Sequence, residues 1–119
     1  MKTLVILNHE LTDEQKRELN SEIVLLSNDD KKLWNSIPSE YNKFMVYIHI
    51  RTIIDQIYKF DQVVCQGEFT AFTIVLEECR KHKIPLLVAC SKRETIEKVD
   101  SDGKLTKVSV FKHIQFREV

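Results

Sequence analysis

The chain has 119 residues, 43% of them hydrophobic and 30% charged, enough for one domain with a single core and too short for two. Eighteen Lys plus Arg offset eighteen Asp plus Glu, so no net basic field exists to hold DNA or RNA by counterion release, and an anionic ligand must meet a local cluster. Two Gly and two Pro supply few tight turns, which argues against an all-β sandwich or barrel.

Thr3-Leu4-Val5-Ile6-Leu7 is a continuous aliphatic run, the pattern of a strand covered on both faces, and it ends at Asn8-His9. Thr12, with Gln15 three residues on, forms a capping box and predicts a short helix to about Asn20. Residues 23–26 read as a second buried strand. Between residues 37 and 60 two apolar stripes compete: Ile37, Tyr41, Phe44, Met45 and Ile48 on one side, and Val46, Tyr47, Ile50, Ile53, Ile54 and Ile57 on the other. One straight helix cannot bury both against one sheet. Either it breaks near Met45 to Tyr47, or its second face meets another subunit; the second is the favoured expectation, because such a face left wet invites aggregation.

Residues 61–65 and 85–90 are two further apolar runs, separated by a helix over 69–83 whose Phe69, Phe72, Val75, Leu76 and Cys79 share a stripe. Strand and helix alternate, which predicts an α/β domain over residues 1–119 with a mainly parallel sheet. Residues 94–99 and 104–111 flank Ser101-Asp102-Gly103 and predict a C-terminal antiparallel hairpin. From Val110 onward, alternation sets Val110, Lys112, Ile114 and Phe116 on one face and Phe111, His113, Gln115 and Arg117 on the other.

Cys65, Cys79 and Cys90 are an odd count without C-x-x-C spacing, so buried thiols in a reducing compartment, most simply the cytoplasm, are expected. Apart from His82, three residues after Cys79, no His or Cys stands two to four positions from any of them, and the carboxylates have no metal-ligand spacing. The apolar opening is too short for a signal sequence, and no stretch approaches the ~20 apolar residues of a membrane span.

In an open parallel sheet, ligands bind at the carboxyl ends of the strands. Those ends hold Asn8-His9, Ser27-Asn28-Asp29-Asp30, Gln66-Gly67-Glu68-Phe69 and Ser91-Lys92-Arg93. Gly67 would let backbone approach a ligand, and free N–H groups opening the next helix suit a phosphate, although the turn is neither G-x-G-x-x-G nor a P-loop. Ser91-Lys92-Arg93, expected in a loop, offers a hydroxyl, a point charge and a planar fork. His9 carries an imidazole and is a proton carrier or a bystander. His113 is a ligand contact or a strand residue, and His49 and His82 read as structural.

Asn8-His9-Glu10-Leu11-Thr12, Leu33-Trp34-Asn35-Ser36-Ile37-Pro38, Gln66-Gly67-Glu68-Phe69, Ser91-Lys92-Arg93-Glu94 and the segment from Val110 to Arg117, in that order, resemble a family of small stand-alone CARF-like proteins of type III CRISPR systems. The resemblance implies a Rossmann-like (CARF-like) homodimer that binds cyclic oligoadenylate, foremost cyclic tetra-adenylate, across its two-fold axis. It further implies a metal-independent, cofactor-free ring nuclease that gives linear products with a 2′,3′-cyclic phosphate and switches off antiviral signalling, with neither DNA nor membrane as partner. Under it, Lys92 and Arg93 stabilise charge, and His9, with His113 as second choice, is the acid or base. Ser91 and the Gly67 backbone hold phosphate, Gln66 and Phe69 orient ribose or adenine, and Asn8, Glu68, Lys112 and His113 complete the ligand contacts. A non-catalytic sensor or sponge for the same messenger would use nearly the same residues. A protein-interaction subunit would instead use the apolar face of Val46, Ile50 and Ile54.

Overall fold

Strands β1 (Lys2–Ile6), β2 (Glu22–Leu25), β3 (Gln62–Cys65), β4 (Leu86–Val99) and β5 (Leu105–Glu118) form one sheet in the order β2-β1-β3-β4-β5 in the computed structural model, which describes residues 1–119. The first four are parallel, and β5 runs antiparallel to β4. The helices are α1 (Asp13–Leu19), α2 (Asn28–Asn35), α3 (Lys43–His49), α4 (Arg51–Ile54) and α5 (Phe69–Lys81), with a 3₁₀ turn at Ile57–Lys59. The protein is therefore α/β with a mixed, mostly parallel sheet, as its strand and helix alternation implies.

The pleat sends alternate residues of β1 and β3 to opposite faces. Leu4, Ile6, Val63 and Cys65 enter the larger core, where Trp34 of α2, Val46 of α3, and Ala71 and Val75 of α5 cover them. Val5, Leu7 and Val64 face the other way and are covered by Leu11 and Leu19, with Phe116 packed alongside. One sheet face thus carries four helices and the other only α1. The Thr12–Gln15 capping box that starts α1 is present in both directions: Thr12 Oγ1 accepts from Gln15 N–H, and Gln15 Oε1 accepts from Thr12 N–H.

The competing stripes of residues 37–60 are resolved by a break, and the break falls at Ile50 rather than near Met45 to Tyr47. Ile50 ends α3 and precedes α4, yet its N–H still reaches the Val46 carbonyl at 3.0 Å, while its own carbonyl accepts from Ile53 and Ile54. The turn therefore sacrifices little hydrogen bonding. It lets Val46, Ile50, Ile53, Ile54 and Ile57 all point into the core, each such burial stabilising by about 1.5–3 kcal/mol. The expectation that this face meets another subunit is overturned, because Val46, Ile50 and Ile54 are buried within the protomer. That burial also removes the face on which an interaction-subunit role rested. The side left in water is the other stripe, with Phe44, Met45 and Ile48 exposed.

The largest departure from expectation is β4. It does not stop at Cys90 but runs on to Val99, paired with β5 along its whole length. Its pairing with β3 covers only Leu86 and Leu87, so the remainder of β4 and β5 forms a two-stranded ribbon. The molecule measures 55 × 36 × 24 Å with a radius of gyration of 17.1 Å, against about 13.5 Å for a compact domain of this length. Between Cys90 and Ser91 the register shifts, and Ile114 has no partner in β4. This bulge cancels the strict alternation expected from Val110 onward. His113 and Phe116 consequently share a face, their rings 4.9 Å apart between centroids.

Candidate functional site

Gln66 and Gly67 follow β3 at the carboxyl edge of the sheet, and Trp34 accounts for the glycine. The indole Nε1 donates to the Gln66 carbonyl at 3.1 Å, which sets that edge of the ring against the turn. A Cβ on Gly67 would stand 2.6 Å from Trp34 Cζ2. Gly67 therefore admits a buried tryptophan rather than a ligand. Two of the N–H groups expected to be free at the start of α5 are also taken, since Glu68 Oε1 accepts from Thr70 N–H and Oε2 from Ala71 N–H, each at 2.9 Å. Slight burial raises the Glu68 carboxyl, but these backbone bonds outweigh it and hold the group below its ordinary range. A phosphate at this helix start would have to displace a carboxylate already seated there. Phe69, the next residue, is 88% exposed.

Ser91, Lys92 and Arg93 lie within β4, not in a loop. Strand alternation therefore splits the triplet. Ser91 stands opposite His113 and Arg93 opposite Phe111 on the α1 side, whereas Lys92 stands opposite Lys112 on the α5 side, the side to which Val88 belongs. In such a directly opposed pair the Cα atoms are about 5 Å apart, and like charges destabilise the pair. No carboxylate comes within 4 Å of either lysine, and Glu94, on the same face, reaches neither. This uncompensated cation pair sits beyond the carboxyl end of β3, on the same side as α5 and Phe69. Gln66 belongs to the same edge and extends Nε2 to the Ala89 carbonyl at 3.5 Å.

The histidines are not part of that cluster. His113 is buried between β5 and α1, with Nε2 3.1 Å from Glu18 Oε1 and Nδ1 3.4 Å from Gln15 Nε2. Gln15 Oε1 is held by the capping box, so its amide can offer only N–H to the imidazole, which fixes the proton on Nε2. Glu18 Oε2 also accepts from Phe116 N–H. His113 thus ties the root of the ribbon to α1, and it is not placed as a ligand contact. His9 is exposed after β1, with Nδ1 3.1 Å from the Glu10 carbonyl. A carbonyl only accepts, so Nδ1 carries that proton and Nε2 remains free. His9 lines a slot of about 370 Å³ with Lys16 of α1 and Lys31 of α2. β3 separates β1 from β4, so their backbones are two strand spacings, about 10 Å, apart. Asn8 is exposed on the same connection.

Burial pushes the Cys79 thiol up to about 12, with the Glu78 charge adding to the effect. Burial likewise drives Cys65 far above its ordinary range, with Cys79 as the lesser contribution. All three cysteines are free, and Cys90 is half-buried. No group of three or more His, Cys, Asp or Glu side chains is arranged to hold a metal ion, and no helix is long and apolar enough to cross a membrane. Sequence reading missed the Trp34–Gly67 contact and the slot formed by Lys16 and Lys31. The contact joins residues 33 positions apart (67 − 34), and the slot joins two helices, so neither has a local signal.

Fold and site together define an α/β protein with a four-stranded parallel sheet, an antiparallel edge strand and uncompensated cations at the carboxyl edge. The chain belongs to the family described as the uncharacterized protein MJ1673 family, which it matches over residues 1–117. It is similar to the uncharacterized protein MJ1673 of Methanocaldococcus jannaschii, 26% identical over 125 residues that cover 98% of this chain and 95% of that protein. No solved structure matches it.

Proposed function

We propose that this protein is a Rossmann-like (CARF-like) cytoplasmic homodimer that binds a cyclic oligoadenylate, foremost cyclic tetra-adenylate, and opens the ring without a metal ion. The observation that carries the reading is the Lys92–Lys112 pair, two directly opposed cations with no carboxylate within 4 Å. A phosphodiester seated between them converts a repulsive pair into two charge-assisted contacts. The exposed Phe69 ring supplies a face on which adenine stacks. A cyclic tetranucleotide is close to two-fold symmetric, so an isologous dimer offers it two such pairs.

The ribbon is the element best suited to hold that dimer. A two-stranded ribbon alone is marginal in water, and this one exposes Val99, Leu105 and Phe111 on one face, which a second copy would cover. In the reaction, the ribose 2′ oxygen attacks the adjacent phosphorus and the P–O5′ bond breaks. The proton lost from the 2′ oxygen ends on the 5′ oxygen, leaving a 2′,3′-cyclic phosphate and a 5′-hydroxyl. Lys92 and Lys112 hold the phosphate in line and stabilise the charge developing on its non-bridging oxygens. Arg93 faces the other way and contributes through the local field rather than by contact. The position of His9 favours a second reading, binding without cleavage, because no imidazole of the same protomer adjoins the lysine pair.

Incubation with cyclic tri-, tetra- and hexa-adenylate in excess chelator, with products resolved by chromatography and mass spectrometry, tests both. Linear products ending in a 2′,3′-cyclic phosphate, lost in the Lys92→Ala/Lys112→Ala double variant, support the nuclease. Intact ring recovered with tight binding supports the sensor. Neither binding nor cleavage of any ring rejects both.

A further inference from the structure

The slot between α1 and the edge strand β2 has the construction of a separate small-molecule site. Its floor is apolar, formed by Val5, Leu7, Ile23 and Leu25, and its rim carries His9, Glu10, Lys16 and Lys31. At about 370 Å³ it lies at the small end of organic-ligand sites. Leu25 is 56% exposed although it belongs to a strand, so the floor presents an apolar surface that nothing in the protomer covers. Lys16 enters from α1 and Lys31 from the end of the first turn of α2, and neither ammonium has a carboxylate within 4 Å. His9 keeps Nε2 free because Nδ1 is engaged by the Glu10 carbonyl. Lys16 and Lys31 against the single Glu10 carboxylate leave a net positive rim that selects an anion, and the aliphatic floor selects a ligand with a flat apolar body.

We propose that this slot binds a small organic phosphate monoester of the nucleoside monophosphate class. The base lies on Leu7, Ile23 and Leu25, the phosphate lies between Lys16 and Lys31, and His9 Nε2 is available to the ligand's polar edge. The site uses no residue of the Lys92–Lys112 pair, and it stands or falls independently of the cyclic oligoadenylate reading.

Calorimetric titration with AMP tests it, alongside adenosine and inorganic phosphate. The expected result is one AMP bound per chain, with adenosine and inorganic phosphate each weaker by roughly tenfold or more, since each lacks one half of the recognition. Lys16→Ala and Lys31→Ala are each expected to weaken AMP binding by a similar factor, whereas Lys92→Ala/Lys112→Ala leaves it unchanged. Circular dichroism confirms that the variants are folded, and backbone amide shifts on AMP addition are expected at residues 7–11 and 23–26. The proposal is overturned if AMP fails to bind, if adenosine or phosphate binds as well as AMP, if the Lys16→Ala/Lys31→Ala double variant retains AMP affinity, or if the Lys92→Ala/Lys112→Ala variant loses it.

Discussion

Gly67→Ala is expected to destabilise the protein through one contact, and its size follows from the geometry. The new Cβ would lie 2.6, 2.7 and 2.8 Å from Trp34 Cζ2, Nε1 and Cε2, about 1 Å inside the best separation for carbon atoms. Trp34 is only 3% exposed, so the ring cannot retreat without pushing on the core, and overpacking of this kind costs about 1–3 kcal/mol. Movement of the indole also weakens its bond to the Gln66 carbonyl, about 1 kcal/mol. Gly67 does not have a positive φ, so alanine brings no backbone strain and stiffens the unfolded chain, an offset of about 0.4–1 kcal/mol. The net expectation is a loss of about 1–3 kcal/mol, a fall in Tm of roughly 5–15 °C. Urea unfolding followed by fluorescence reads it directly, because Trp34 is the only tryptophan. In a Trp34→Leu background, followed by circular dichroism, the same substitution is expected to be neutral or stabilising. Parental stability in Gly67→Ala, or an equal loss in both backgrounds, would refute the reasoning.

Lys92→Glu replaces a repulsive cross-strand pair with an attractive one, so it should stabilise the ribbon by about 0.2–1 kcal/mol while abolishing cyclic oligoadenylate binding; denaturation and binding assays on the same sample check the opposite signs. Glu68→Ala removes the cap of α5, a loss of about 1 kcal/mol at neutral pH. Because the folded state depresses the Glu68 carboxyl, that contribution is complete above the ordinary carboxylate pKa and disappears as pH falls through the lower folded value. Parent and variant stabilities should therefore converge in acid and diverge on raising the pH, which pH-dependent urea titrations will show. A thiol reagent is expected to modify Cys90 in the native protein, whereas Cys65 and Cys79 react only at the rate of unfolding, as counted by mass spectrometry.

Sequence patterns recorded what is local in this fold. The aliphatic runs of β1 and β3 and the Thr12–Gln15 box are each written within a few residues, and each is found where its pattern points. The continuation of β4 through Ser91-Lys92-Arg93-Glu94 was hidden because a ribbon wet on both faces needs no apolar alternation, so its polar residues read as a loop. The two stripes of residues 37–60 were visible, but which one the sheet would take depended on a break at Ile50 that carries neither Gly nor Pro. Ile114 likewise sits in a bulge without a glycine, and that single unpaired residue moves His113 from a solvent-facing position to one beneath α1. Glu68 entered as a ligand contact through the family resemblance, whereas the chain uses it as the N-cap of α5, a position where glutamate is uncommon. Of the site itself, the Lys92–Lys112 pairing required strand register, which no motif records, and Gly67 suggested a phosphate until Trp34 was placed beside it.

One whole face of the sheet depends on a helix of seven residues. So small a cover opens as a cooperative unit, with a free energy well below that of the helix-rich face, and hydrogen exchange at α1 amides should precede exchange at α5 amides. When α1 lifts, it releases the Gln15 and Glu18 contacts to His113 and the Glu18 contact to Phe116 N–H together, and the root of the ribbon loses its anchor. The same helix carries Lys16 into the slot at the opposite edge of the sheet. Lys16 and the Gln15 and Glu18 contacts therefore share one helix, and opening of α1 removes both at once. The thinnest layer of the fold is thus the one whose opening lays bare two distant edges together.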